Sequence, residues 1–287
     1  MDADESAAGP GGTSTPPGAV GWSGRRVPGS AILGMVLILV AALCVLAGTV
    51  AAVRAGDWAT VVVGGVAAVL LASVFGFLVV VGSSRGRSGP APALTPWPGG
   101  GTSGVRFGYS TATYVWFSAL LATCILIFLA MALAAGTSGT VFGWMVAVVM
   151  AGVAVLLGWF LVTMLRLAPG ELVLSPAGIA HRGLTHLYAV PWSAVFAVEA
   201  QRLGTPVIVV KAYPSEESVL RRHTGRLDTG ELRFVPFLVV RTYWLAADPE
   251  TVLRALTFYD AHPELRDELA TPDAVARIAE GRVVDRP

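Results

Sequence analysis

Residues 171–192 read ELVLSPAGIAHRGLTHLYAVPW, and they decide what kind of chain this is. Short runs of β-forming residues are broken at Ser175-Pro176-Ala177-Gly178, as a tight turn breaks a strand. The pattern is that of a water-facing antiparallel meander. Residues 30–165, just before it, differ in character. They hold only five charged side chains, Arg54, Asp57, Arg85, Arg87 and Arg106, all lying between apolar runs.

Those runs are 30–53 (SAILGMVLILVAALCVLAGTVAAV), 58–82 (WATVVVGGVAAVLLASVFGFLVVVG), 112–135 (ATYVWFSALLATCILIFLAMALAA) and 141–165 (VFGWMVAVVMAGVAVLLGWFLVTML). At a rise of ~1.5 Å per residue each can cross a hydrocarbon core of ~30 Å. Lipid offers no partner to backbone N–H and C=O groups, so helices are required. The first run starts late, behind a Gly/Pro-rich tail, and is too long for the apolar stretch of a signal peptide. It reads as a retained span. The composition agrees: 54% of the chain is apolar and 14% charged, where soluble domains carry about a quarter charged residues.

Arginine placement gives an orientation. Arg25 and Arg26 precede the first span, Arg85, Arg87 and Arg106 follow the second, and Arg166 ends the fourth, while Arg54 stands alone in the other two loops. By the positive-inside rule both termini face the cytoplasm of an inner membrane. Trp58, Tyr114, Trp116, Trp144 and Trp159 fall near span ends, as interfacial aromatics do. Gly64, Ala68, Ala72 and Gly76, and again Gly143, Ala147 and Ala151, recur every four residues. Small residues at that spacing let helix backbones approach closely, within one chain or between chains. The spans offer no ionisable group for an ion or proton path and no midplane Gly/Pro break. A carrier or channel is disfavoured.

Between and around the spans, residues 1–29 are expected to be a disordered tail. Residues 83–110, rich in Gly and Pro, read as a flexible cytoplasmic loop. Cys44 and Cys124 sit inside apolar runs with no CxxC spacing, so no disulfide framework arises. A net charge of +1 gives no electrostatic case for nucleic acid.

Beyond residue 166 short strands follow one another: ELVLS, IAHRG, THLYAVPW, AVFAVEAQRL, PVIVVKAY and VPFLVVRTYWLAA, with 214–234 as a polar insertion. Asp248 then caps a helix with Pro249 in its first turn, and Val252, Leu256 and Tyr259 recur on one face. HPELRDEL, residues 262–269, makes a further turn or short helix, and Thr271-Pro272 opens a last one, ended by Gly281. The expected whole is a polytopic α-helical membrane protein with a C-terminal α+β domain of antiparallel strands capped by helix, at 166–262, and a helical tail at 263–287.

Ser175-Pro176-Ala177-Gly178, Ile179 with Arg182, and Pro191-Trp192 before an apolar strand together resemble the start of bacterial PH-like domains, which are often found on membrane-anchored proteins. Ser193-Ala194 departs from the acidic residue usual there. The resemblance covers roughly residues 166–260 and implies a fold, not a function. Eukaryotic PH domains hold phosphoinositides with basic residues between their first two strands, where this chain has only SPAG. Trp192 reads as a core plug with its indole N–H on a carbonyl, and Gly178 as the positive-φ residue of its turn.

The remaining chemistry is sparse. Arg221, Arg222, His223 and Arg226 cluster in the polar insertion and are the candidate interaction residues, though Glu216, Glu217, Asp228 and Glu231 offset their charge. His181 and His186 are close enough to face one another across adjacent strands, but the sequence supplies no third ligand, so no metal or other cofactor is expected. Neither GxSxG, HExxH, a P-loop nor GxGxxG is present, and no catalytic residue is assigned. The expectation is a membrane-tethered interaction module whose partners are the bilayer and a further protein. A small carrier or channel subunit regulated by its tail, and an interfacial enzyme, are the alternatives.

Overall fold

The computed structural model describes residues 29–82, 91–98, 100–167, 170–203, 205–223 and 231–283. The apolar runs form helices α1 (Gly29–Ala55), α2 (Trp58–Gly82), α3 (Thr111–Gly136) and α4 (Val141–Leu167). All four are long and apolar enough to cross a bilayer, which makes the chain a multi-pass membrane protein. The tail 1–28, with Arg25 and Arg26, and Arg85 and Arg87 lie outside the described residues.

The helices form a row. α1 packs on α2, α2 on α3 and α3 on α4, while α1 and α4 scarcely meet. Only 6% of the span is buried in α1 and α2, and 11% in α3 and α4, so most of the Leu and Val surface is left to lipid. The hydroxyls of Thr49, Ser73, Ser118, Thr123 and Thr163 each donate to the carbonyl four residues earlier, which satisfies them inside their own helix.

The small residues of α2 serve two neighbours. A Cβ added at Gly64 would collide with Thr49 of α1, and one at Gly76 would lie 2.5 Å from the Trp116 ring of α3. Ala68, between them, is half-buried and Ala72 is exposed. The four-residue repeat is thus two separate notches and not one continuous ridge. In α4, Gly143 abuts the α3–α4 turn at Ser138 and Ala135. Ala147 is buried beside Gly136, and Ala151 is half-buried.

The β-domain has two antiparallel sheets. One runs β1 (Ala93–Pro96), β2 (Ser103–Gly108), β3 (Glu171–Ser175), β4 (Gly178–Arg182), β5 (His186–Pro191) and β8 (Val219–Arg222), in that spatial order. The other is β6 (Val195–Leu203), β7 (Thr205–Ala212) and β9 (Leu238–Arg241). Their inner faces, with Leu172, Leu174, Ile179, Val190, Ile208, Val210, Leu238 and Val240, share one core with helix α5 (Pro249–Ala261). The Asp248 carboxylate accepts from Thr251 N at 3.2 Å, and Val252, Leu256 and Tyr259 are fully buried.

Two segments depart from the sequence reading. Residues 83–110, expected as a loop, contain the β1–β2 hairpin, and β2 pairs with β3 in the register Arg106↔Val173. Val105 and Phe107 enter the main core, and Arg106 reaches the Glu171 carboxylate at 2.9 Å. The hairpin covers a β3 edge that would otherwise present unpaired backbone groups. Residues 263–287, expected as a tail, hold a 3₁₀ stretch (Pro263–Ala270) and helix α6 (Pro272–Ala279). They bring Leu269, Ala274, Ile278 and Val283 into that same core. The sixth expected strand is also shorter, because Thr242–Trp244 turns into a 3₁₀ helix after β9.

The PW motif behaves as expected. Trp192 is 5% exposed and its indole N–H donates to Ser175 O at 2.7 Å. Gly178 has a positive φ, and contact constrains it further, because an added Cβ would strike the Val190 carbonyl.

Candidate functional site

Where the sheet meets the bundle, a polar cluster is buried among aromatic side chains. Tyr109 directly follows β2, on the segment that feeds α3, and makes an isolated antiparallel bridge with Leu245. His181 lies on β4, and His186 opens β5 after the turn Arg182-Gly183-Leu184-Thr185. Glu231 begins a 3₁₀ turn (Glu231–Phe234), and Arg241 ends β9. His181, His186 and Glu231 are 1%, 2% and 5% exposed.

The inward pointing of these groups follows from strand alternation. Val105, Phe107 and Tyr109 share one face, as do Ile179 and His181 on β4, while Val173, Ala180 and Ala189 lie on the outer face under Trp97. Tyr109 is further fixed by Gly170, whose carbonyl accepts its N–H at 2.9 Å. A Cβ at Gly170 would fall 2.5 Å from the tyrosine ring.

Within the cluster the Tyr109 hydroxyl lies 2.5 Å from His181 Nε2. The two imidazoles meet edge to face at 5.6 Å. His186 Nε2 is 3.8 Å from Glu231 Oε2, and the other carboxylate oxygen, Oε1, is 3.4 Å from Arg241 Nε. Arg241 also reaches the Tyr243 hydroxyl at 3.3 Å. Burial, with the neighbouring His186, lowers the His181 pKa to about 3, so its ring is neutral. Burial, with the nearby Glu231 charge, raises the Tyr109 phenol well above its ordinary range. Tyr109 therefore donates and His181 Nε2 accepts.

The cluster is joined to the helices by a chain of ring contacts. Tyr109 lies on Trp244 at 5.8 Å, Trp244 meets Phe117 of α3 edge-on at 5.5 Å, and Phe117 meets Phe77 of α2 at 5.6 Å. Backbone bonds reinforce the junction: Ser110 N donates to Trp244 O at 2.6 Å, and the Tyr114 hydroxyl to Met164 O at 3.0 Å.

The sequence paired His181 with His186 but missed Glu231. It sits in a polar insertion where nothing local signals burial, and its partner His186 lies far away in the chain. The donor atoms of His181, His186 and Glu231 all fall within 4.8 Å of one another.

The candidate interaction residues lie elsewhere. Arg221 and Arg222 are exposed on β8, the edge of the six-stranded sheet, and His223 is exposed just past it. Arg226 falls outside the described residues. Beside that edge a groove of about 370 Å³ runs between Trp97, Pro98, Leu187 and Val219, with Glu217 and Arg221 on its walls. His262 is half-buried and stacked on Phe258 at 4.5 Å. Compared with family models, curated proteins and solved structures, the chain matches none of them.

Proposed function

We propose that this protein is a membrane-anchored interaction module. Its PH-like β-domain stands on the cytoplasmic face of the inner membrane and recognises a protein partner along the β8 edge. The observation that carries the reading is the groove of Trp97, Pro98, Leu187 and Val219 beside an edge strand that bears Arg221 and Arg222. An open edge offers backbone N–H and C=O groups to an extended segment, and the groove offers it an apolar side-chain pocket. The short antiparallel strands, the SPAG turn, the Trp192 plug and α5 support the PH-like assignment. Arg106 and Arg166 at the domain end of the helices, against Arg54 at the other end, support the orientation. The thin row of helices, with the hydroxyls of Thr49, Ser73, Ser118, Thr123 and Thr163 bonded within their own helices, supports anchoring over transport.

A photo-crosslinking amino acid at Leu187 or Val219, in the full chain in membranes, should give one discrete protein adduct. The same group at Phe196 or Tyr213, exposed on the other sheet, should not. Equal labelling from both faces would remove the β8 edge as the recognition surface. Solute or ion flux through reconstituted protein would instead favour the carrier alternative.

A further inference from the structure

We propose that His181, His186 and Glu231 form a buried site for a divalent transition-metal ion of the zinc class. Two imidazoles and a carboxylate are a donor set suited to such an ion and poorly suited to calcium or magnesium, which take oxygen ligands. The three side chains come from β4, the start of β5 and the 3₁₀ turn at Glu231, and each is nine-tenths or more buried. Their donor atoms lie within 4.8 Å of one another. Ligands at about 2.0–2.1 Å from a tetrahedral ion stand roughly 3.3 Å apart. The 3.8 Å between His186 Nε2 and Glu231 Oε2 therefore closes with a side-chain shift of about half an ångström.

Two features accompany this proximity. The Glu231 oxygens are divided, Oε1 toward Arg241 and Oε2 toward His186, so Arg241 orients the carboxylate toward the histidines, as an outer-shell partner does. Gly183 holds the floor open: an added Cβ would lie 2.9 Å from His186 Cε1 and 3.4 Å from Glu231 Oε2. The lone pair of His181 that now accepts from Tyr109 is the one the ion takes, so the hydroxyl gives up that bond on loading and a water completes the set. Enclosure on all sides assigns the ion a structural role, clamping the turn at Glu231 to the β4–β5 hairpin.

The test uses the untagged full chain in detergent, stripped with chelator, then loaded with Zn²⁺ or Co²⁺ and passed through gel filtration. One equivalent of metal should be retained, Zn²⁺ should raise the melting temperature, and Co²⁺ should give the visible absorption of a tetrahedral site. Glu231→Gln and His186→Asn should lose the retained equivalent, whereas His223→Gln and His262→Gln, which change the other two histidines of the chain, should keep it. X-ray absorption of the zinc-loaded parent covers the case in which a variant does not fold, and should show imidazole nitrogen in the first shell. Failure of the parent to retain metal, retention by both ligand variants, or a shell without imidazole would each overturn the site.

Discussion

The Tyr109 hydroxyl and His181 Nε2 lie 2.5 Å apart, although 72 residues and two transmembrane helices separate them in the chain. The bond joins the segment that leads into α3 to the second strand after α4. Tyr109→Phe keeps the ring on Trp244 but strips the buried nitrogen of its donor. An orphaned buried acceptor costs about 1–3 kcal/mol. The variant should melt earlier in detergent than the parent, and an unchanged melting temperature would show that the nitrogen finds another donor.

Phe107→Ala tests whether the hairpin belongs to the domain. The side chain is 1% exposed in the main core, and deleting a buried Phe costs about 3–5 kcal/mol. Limited proteolysis should then cut within the β-domain at protease levels the parent resists. If 83–110 were a linker in practice, the cleavage pattern would not change.

At Gly76 the expectation concerns helix packing. Gly76→Ala puts a methyl 2.5 Å from the Trp116 ring, and overpacking of this kind costs about 1–3 kcal/mol. A disulfide engineered between α2 and α3 should form more slowly in the variant. Trp116→Ala in the same chain should restore the rate. Gly65→Ala, where an added Cβ meets nothing within 4 Å, should leave it alone.

Trp192→Phe keeps most of the apolar volume but removes the N–H that serves Ser175 O. A loss of about 1–3 kcal/mol follows for the unpaired carbonyl. Trp192→Ala adds a cavity, for about 3–5 kcal/mol. Thermal melts of the two variants should rank in that order, and equal losses would mean that the hydrogen bond contributes nothing beyond packing.

Glu268 accepts from the Tyr259 hydroxyl at 2.7 Å and from Arg277 at 2.6 and 3.0 Å. It thereby ties α6 to α5. Glu268→Ala leaves both donors without their carboxylate and should loosen the C-terminal segment before the sheet. Hydrogen exchange should rise first in 272–279. A uniform rise across the domain would contradict a local clasp.

The helices were legible because lipid imposes one strict rule, the absence of charge over a span, and Arg54, Asp57 and Arg166 mark ends to within two residues of those observed. The α5 cap and its buried face were legible because Asp248-Pro249 and the spacing of Val252, Leu256 and Tyr259 are local signals. Strand β2 was missed because its alternation, Val105, Phe107, Tyr109, is three residues deep in a Gly- and Pro-rich stretch. Composition outweighed period there. Glu231 was missed for a different reason: what buries it is a β-hairpin some forty-five residues earlier, which no local pattern encodes.

The pairing of β2 with β3 also sets an order of assembly. The first of these strands leaves the ribosome before α3 exists, and the second only after α4 is complete. The sheet can close only once that helical pair has been threaded through the bilayer and returned to the side it left. Closure then latches the pair at both ends, so extraction of either helix must first unzip a strand.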